Sequence, residues 1–360
     1  MANPTIVLLP GDGVGPEVTR EAAACLARVA PDARLVEHAI GGHALDTTGE
    51  SLPATTLDAC MEADAVFLGA VGNPRYDSAP ESTRPELGLL ALRQALGAWA
   101  NLRPIRVHPA LEDCSPLRPE RVRGADVMIV RELLGGIYFG EPRSLSSDGG
   151  ERHAIDTMTY TEGQIRRVAD LAFRIAQKRR KRLLSVDKAN VLACSRLWRA
   201  VVSEVAEGYP EVTCEHGLVD SCTLRILTDA PDLDVLLCGN LFGDILSDEA
   251  GALCGSLGML PSASIGDRPG GLFEPVHGSA PDLAGSGKAN PVGAILSAAM
   301  LLHHGLDRPE AAHQLERAVD ATVADGIMTA DVGGSATTAQ FGDAVRARLE
   351  PNSPTDGSND

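Results

Sequence analysis

Two hydrophobic periods alternate along the chain, and this alternation restricts its fold more than any other feature. Short apolar runs rich in β-formers (Thr5 to Leu9, Ala65 to Leu68, Val127 to Val130, Leu183 to Val186, Val235 to Cys238) are separated by longer segments of helical period, such as Glu17 to Val29 and Glu162 to Gln177. A continuous apolar run suits a strand buried on both faces, and the intervening helices supply the cover, so the pattern predicts an α/β architecture with a mostly parallel sheet. The 360 residues, 44% of them apolar, are enough for two domains with real cores. From Gly135 to Thr161 the text changes to Gly, Ser and β-formers with turn signals near Ser147 to Gly150. That stretch predicts a β-hairpin arm between α/β units. Arg268 to Pro291, crowded with glycine and proline, predicts a long loop that is either functional or disordered, and residues 351–360 predict a disordered tail.

Charge narrows the partners. With 49 acidic against 32 basic side chains the net charge is −17, which argues against nucleic acid or an anionic membrane as a partner of the whole surface. The N-terminal apolar run is too short for a signal peptide, and none elsewhere reaches the roughly 20 residues that span a membrane, so a cytoplasmic protein is expected. The eight cysteines form no CxxC pair and read as small buried hydrophobes. Only four of the basic residues are lysines: Lys178, Lys181, Lys188 and Lys288.

Several clusters invite chemistry. Gly11, Gly13 and Gly15 follow the first strand, but Pro16 stands where a GxGxxG fingerprint needs its third glycine, so an ordinary dinucleotide fold is not expected. In the helix starting near Pro85, Glu86, Leu89, Leu90 and Arg93 fall at i, i+3, i+4 and i+7 and share one face. This face either packs its leucines into the core or holds a ligand that is part hydrocarbon and part carboxylate. Arg103 follows that helix, and Arg131 follows the strand Val127 to Val130, at the strand end where open α/β sheets bind ligands. Asp244 and Asp248 lie one helical turn apart after another strand, and Asp220 ends a further apolar segment. Three such carboxylates suit Mg²⁺ or Mn²⁺, although acids in a first helical turn also serve as simple caps. Lys188, directly after a buried-looking strand, is either a proton-transfer group or a surface lysine, and Tyr138 lies in the arm.

At these residues the sequence resembles the β-decarboxylating dehydrogenases of 3-hydroxy acids, whose substrates include isopropylmalate, isocitrate, homoisocitrate, tartrate and D-malate. The resemblance runs through LPGDGVGPEV, NLRP, VRELLGGIYFGEPR, SVDKANVL, GNLFGDILSDEAG and LFEPVHGSAPDLAGSGKANP, and covers all but the tail. It implies an isopropylmalate dehydrogenase-like three-layer α/β fold with two domains and a dimerising β-arm, and not a Rossmann fold. One domain would comprise residues 1–98 and 255–360, the other 99–254 with the arm at about 135–161, and the cleft between them would hold the site. The resemblance further implies a homodimer in which Lys188 and Asp220 enter the partner's site. Arg93, Arg103 and Arg131 would clamp the malate carboxylates, Asp220, Asp244 and Asp248 would hold Mg²⁺ or Mn²⁺, and Lys188 and Tyr138 would move protons.

Glu274, His277, Gly278, Ser279, Ala280, Asp282 and Asn290 match the family's cofactor loop. Asp282 favours NAD, since a carboxylate there accepts from ribose hydroxyls and repels a 2′-phosphate. Glu86, Leu89 and Leu90, with Val191 opposite, would receive the malate's 3-substituent, and leucines suit an isopropyl group. The expected activity is NAD-dependent oxidative decarboxylation of 3-isopropylmalate to 4-methyl-2-oxopentanoate and CO₂, a step of leucine biosynthesis. The alternative is the same metal-dependent reaction on another 3-substituted malate, of the homoisocitrate, D-malate or tartrate type.

Overall fold

A computed structural model describes residues 3–80, 83–148 and 150–349. The expected disordered tail at 351–360 lies outside the described residues. Twelve strands are present among them: β1 (Thr5–Gly11), β2 (Arg34–Glu37), β3 (Ala65–Ala70), β4 (Ala100–Arg106), β5 (Asp126–Glu132), β6 (Ser144–Asp148), β7 (Glu151–Ile155), β8 (Arg182–Asp187), β9 (Thr213–Leu218), β10 (Val235–Cys238), β11 (Pro261–Ile265) and β12 (Leu272–Pro275). Each of the five apolar runs falls within a strand, and the two long periodic segments fall within the helices Gly15–Val29 and Glu162–Gln177.

The described residues form two compact units, one of 3–92, 258–263 and 268–349 and the other of 93–257 and 264–267. In the first, the strand order β2-β1-β3-β12 is parallel where its register is defined. Its core joins β1 and β3 to the helix Gly15–Val29 and to Val292–Met300, whose side chains are buried at nearly every position. In the second, the order is β4-β5-β10-β8-β9, parallel except for the antiparallel pair β4–β5. The helix Glu162–Gln177 covers this sheet, and the Thr161 hydroxyl with Gln164 closes a capping box at its start.

The expected arm is an antiparallel hairpin, β6 paired with β7 from Ser144 opposite Ile155 to Asp148 opposite Glu151. β7 is exposed along its whole length, and Leu145 and Ile155 present apolar side chains to solvent. The stretch Arg268 to Pro291 departs from the expected loop. Leu272 and Phe273 form part of β12 and pair with Val66 and Phe67, fully buried, because two large apolar side chains gain more in the core than a loop offers. All eight cysteines are free thiols, but only five are buried as expected; Cys114, Cys194 and Cys214 are partly exposed.

Candidate active site

In the second unit, β4 and β5 run antiparallel with Asn101 opposite Arg131 and Arg103 opposite Ile129. The two arginines are almost fully buried, and the helix Asn240–Gly251 meets them with Asn240, Asp244, Ser247 and Asp248. Arg103 donates through Nε to Asn101 (2.8 Å), through Nη1 to the Ser247 hydroxyl and to Asp248 (3.2 Å), and its Nη2 lies 3.5 Å from Asp244. Arg131 donates through Nη1 to Asp244, whose second oxygen accepts from the Tyr138 hydroxyl at 2.9 Å. The Arg131 guanidinium also lies 5.9 Å from the centre of the Tyr138 ring. Gly243 permits this approach, because a Cβ there would stand 2.7 Å from Cγ of Arg131.

Position makes the charges unequal. Burial, then repulsion from Arg103, brings the Arg131 guanidinium down to about 10, still cationic at neutral pH. Burial alone would raise Asp244, but Arg131 and Arg103, with the Tyr138 hydroxyl, hold it below the usual carboxylate range. Burial pushes Asp248 up, with Arg103 opposing and Asp244 reinforcing. Burial and the neighbouring Asp244 push the Tyr138 phenol up to about 12, so it keeps its proton at neutral pH. Arg93 is buried and acts on both Arg131 and Asp244. Three arginines therefore face two carboxylates, leaving an excess of positive charge suited to a polycarboxylate. The Asp244 and Asp248 side chains remain 33% and 57% exposed, so their oxygens are reachable by a hard cation such as Mg²⁺ or Mn²⁺. The donor set fits that cation.

Lys188 and Asp220 form a separate pair. Asp187, the last residue of β8, is buried and accepts from Arg199 Nε (2.8 Å) and Nη2 (2.9 Å), which pins the strand end from which Lys188 projects. Lys188 Nζ donates to Asp220, in the first turn of the helix Val219–Thr228, and this hydrogen bond holds the Asp220 carboxyl below its usual range. Among the described residues no three His, Cys, Asp or Glu side chains converge to hold a metal, so Asp220 does not join Asp244 and Asp248 within one chain. Val191, just beyond Lys188, is exposed.

In the first unit, the glycine cluster serves the segment at 274–290. Gly13 has φ +59°, and a Cβ there would stand 1.9 Å from the Ser279 carbonyl, which accepts from the Val14 N–H at 2.8 Å. Glu17 accepts from the N–H groups of Gly285 and Gly287. Asp12, buried, accepts from the N–H groups of Gly42 and His43 in the first turn of the helix Gly41–Thr48 and from that of Gly72 after β3. Along the segment, Glu274 is buried, Ala280 is left-handed at φ 40°, and Gly278 and Asp282 are exposed. Asn290 donates to Asp331 at 3.0 Å, and Val292 N–H donates back to Asn290 Oδ1. His277 Nδ1 lies 2.9 Å from the Gly278 carbonyl while its buried Nε2 has no partner, and burial lowers the imidazole's affinity for a proton. An unpartnered ring nitrogen next to the open Gly278, on a segment that also carries the exposed Asp282, fits a dinucleotide cofactor.

On the helix Pro85–Ala95, Leu92 is fully buried, whereas Leu89 and Leu90 are only half-buried and Glu86 is exposed. The core is thus filled by a different face from the one carrying Glu86, Leu89 and Leu90.

Beyond the expected residues, Asn101, Ser247 and Glu132 also build the site. Glu132 accepts from the N–H groups of Leu134 (3.1 Å) and Gly135 (2.7 Å), and burial pushes its carboxyl up to about 7. The folded pKa lies above the unfolded one, so the folded state binds the proton more tightly and stability falls as pH rises from about 4.5 to about 7. We expect the thermal unfolding midpoint of Glu132→Gln to depend less on pH across that window than the wild type's. Parallel pH profiles would contradict this.

Known proteins resemble this chain in sequence and fold. Residues 5–345 match the family described as isocitrate/isopropylmalate dehydrogenase. The chain is 52% identical to the 3-isopropylmalate dehydrogenase of Anaeromyxobacter dehalogenans, over 96% of this chain and 99% of that protein. It is 53% identical to the same enzyme of Deinococcus radiodurans, over 96% and 98%. Among solved structures it is similar to isocitrate dehydrogenase from Methylococcus capsulatus, with TM-score 0.87 and 32% identity over 96% of this chain and 99% of that one. A β-decarboxylating dehydrogenase from Thermococcus kodakarensis gives TM-score 0.78 and 34% identity, over 96% of each chain.

Proposed function

Because the chain belongs to the isocitrate/isopropylmalate dehydrogenase family, we propose that its Arg103–Asp244–Arg131–Tyr138 cluster performs the oxidative decarboxylation of 3-isopropylmalate. The protein is a dehydrogenase that yields 4-methyl-2-oxopentanoate and CO₂ in leucine biosynthesis, a reading that the full-length relatives at about 50% identity support. The observation that carries the residue assignment is the cluster itself, with surplus positive charge beside two reachable carboxylates.

Arg93, Arg103 and Arg131 bind the two substrate carboxylates, the rigid fork of each guanidinium fixing their orientation. Lys188, acting as the neutral amine, takes part in removing the hydroxyl proton as the carbon–hydrogen bond gives up its hydride. Once the β-carboxylate has left as CO₂, the Tyr138 phenol, protonated at neutral pH, gives its proton to the enolate carbon. When bound, NAD⁺ accepts the hydride, and Mg²⁺ or Mn²⁺ withdraws electron density from the substrate's oxygens. Asp244 and Asp248 from one subunit and Asp220 from its partner would hold the cation. Glu274, His277, Gly278, Ser279, Ala280, Asp282 and Asn290 would hold the dinucleotide, with Asp282 selecting NAD over NADP.

Glu86 and the half-buried Leu89 and Leu90, with Val191, would receive the isopropyl group. A hydrophobic pocket separates substrates by only about 1–3 kcal/mol per methylene, so other 3-alkylmalates would turn over more slowly. A homodimer is part of the proposal. The separation of Lys188 and Asp220 from Asp244 and Asp248 supports it, as do exposed Leu224 and Ile245 on the helices carrying the acids and Leu145 and Ile155 on the arm. In this proposal the described residues of 1–98 and 255–360 form the cofactor domain and those of 99–254 the domain with the arm. None of the described helices is long and apolar enough to cross a membrane, and the biosynthetic role is proposed for the cytoplasm. Assay with 3-isopropylmalate, NAD⁺ and Mg²⁺ should yield NADH and CO₂ in equal amounts, and absence of NADH would refute the reading.

A further inference from the structure

We infer that Asn240 is a positioning residue that sets Arg131 and the Tyr138 loop in register for the reaction, an inference that rests on the function proposed above. Asn240 is almost completely buried, and every polar group of its side chain is used. Its Oδ1 accepts from Nε (3.0 Å) and Nη2 (2.8 Å) of Arg131, and its Nδ2 donates to the carbonyls of Leu133 and Gly135, both at 3.0 Å. These four contacts fix the amide's orientation, since the flipped form would put an NH₂ against a guanidinium and an oxygen against two carbonyls. The residue's own N–H donates to the Tyr160 hydroxyl at 2.7 Å.

Two parts of the site meet on this one side chain. By gripping the Nε and Nη2 edge, Asn240 turns Nη1 of Arg131 toward Asp244, the carboxylate that also accepts from Tyr138. Through Leu133 and Gly135 it anchors the turn between β5 and Tyr138, which the Glu132 carboxylate holds at the N–H groups of Leu134 and Gly135. Residue type matters as well as place. A neutral amide accepts from the guanidinium without adding a second negative charge beside Asp244, so positive charge on Arg131 remains for a substrate carboxylate, whereas aspartate would cancel it.

The test compares Asn240→Ala and Asn240→Asp with the wild type as purified enzyme with NAD⁺ and Mg²⁺. It measures kcat, the KM of each substrate and the thermal unfolding midpoint. In both variants the KM for 3-isopropylmalate should rise at least tenfold while the KM for NAD⁺ stays within twofold. In Asn240→Ala, kcat should also fall at least tenfold, because the Tyr138 turn loses its anchor. If the alanine variant does not fold, the nearly isosteric aspartate variant decides. A folded variant with a KM for 3-isopropylmalate within twofold of wild type would overturn the inference, even with a lowered unfolding midpoint, since that is the signature of a merely structural role. Absence of turnover by the wild type would instead overturn the functional reading, and this inference with it.

Discussion

Replacing Lys188 with methionine should lower kcat by about 10²- to 10⁴-fold, the usual contribution of a positioned acid–base group, while NAD⁺ affinity and subunit assembly stay as in the wild type. Methionine keeps most of the side chain's length and apolar stem but can neither take nor give a proton. The backbone that presents it is held independently: Asp187 is fixed by Arg199 and by the Ala189 N–H, so the end of β8 should survive the exchange. The exchange breaks the hydrogen bond that Nζ donates to Asp220. Steady-state kinetics, a fluorescence titration with NADH and sedimentation velocity check the three parts. A kcat within threefold of wild type would remove the lysine from proton transfer.

The second large effect is expected at Asp244. Asp244→Asn keeps the shape but removes the charge that three neighbours share: Arg131, Arg103 and Tyr138. Two losses coincide. An amide is a poor ligand for Mg²⁺ beside a carboxylate, and the buried arginines lose the anion that offsets their mutual repulsion. We expect the Mg²⁺ concentration for half-maximal activity to rise by at least about 100-fold, at or beyond the upper end of what even outer-shell ligand mutations cost. An unchanged metal requirement with normal kcat would show that Asp244 is not a ligand.

Much of this site is legible in the sequence because its residues sit where local pattern has meaning. Arg131 follows a run of apolar β-formers, Asp244 and Asp248 are one helical turn apart, and the face carrying Leu89 and Leu90 declares itself by period. Local pattern does not contain the choice of tertiary partner. Asn240 grips Arg131 across 109 positions of sequence, and Gly13 presses on Ser279, whose carbonyl lies against a turn near the other end of the chain. In the sequence these glycines only fail the dinucleotide fingerprint, and nothing local marks them as the support for a distant segment. A signal for Asn240 does exist, because 240, 244 and 248 continue one helical face. A lone asparagine at a helix start, however, reads as a cap. β12 escapes for the reverse reason: two apolar residues among glycines and prolines carry no period, and only their pairing with β3 makes them a strand.

If the arginine and carboxylate cluster works with the leucine-bearing helix face, the enzyme handles a malate whose 3-substituent is apolar. The deciding quantity is kcat/KM, measured with NAD⁺ and Mg²⁺ for 3-isopropylmalate, isocitrate, homoisocitrate, D-malate and tartrate. The highest value is expected for 3-isopropylmalate, with the polar or unsubstituted acids well below it. A large preference for isocitrate, homoisocitrate, D-malate or tartrate would show that the leucine face does not select the substrate.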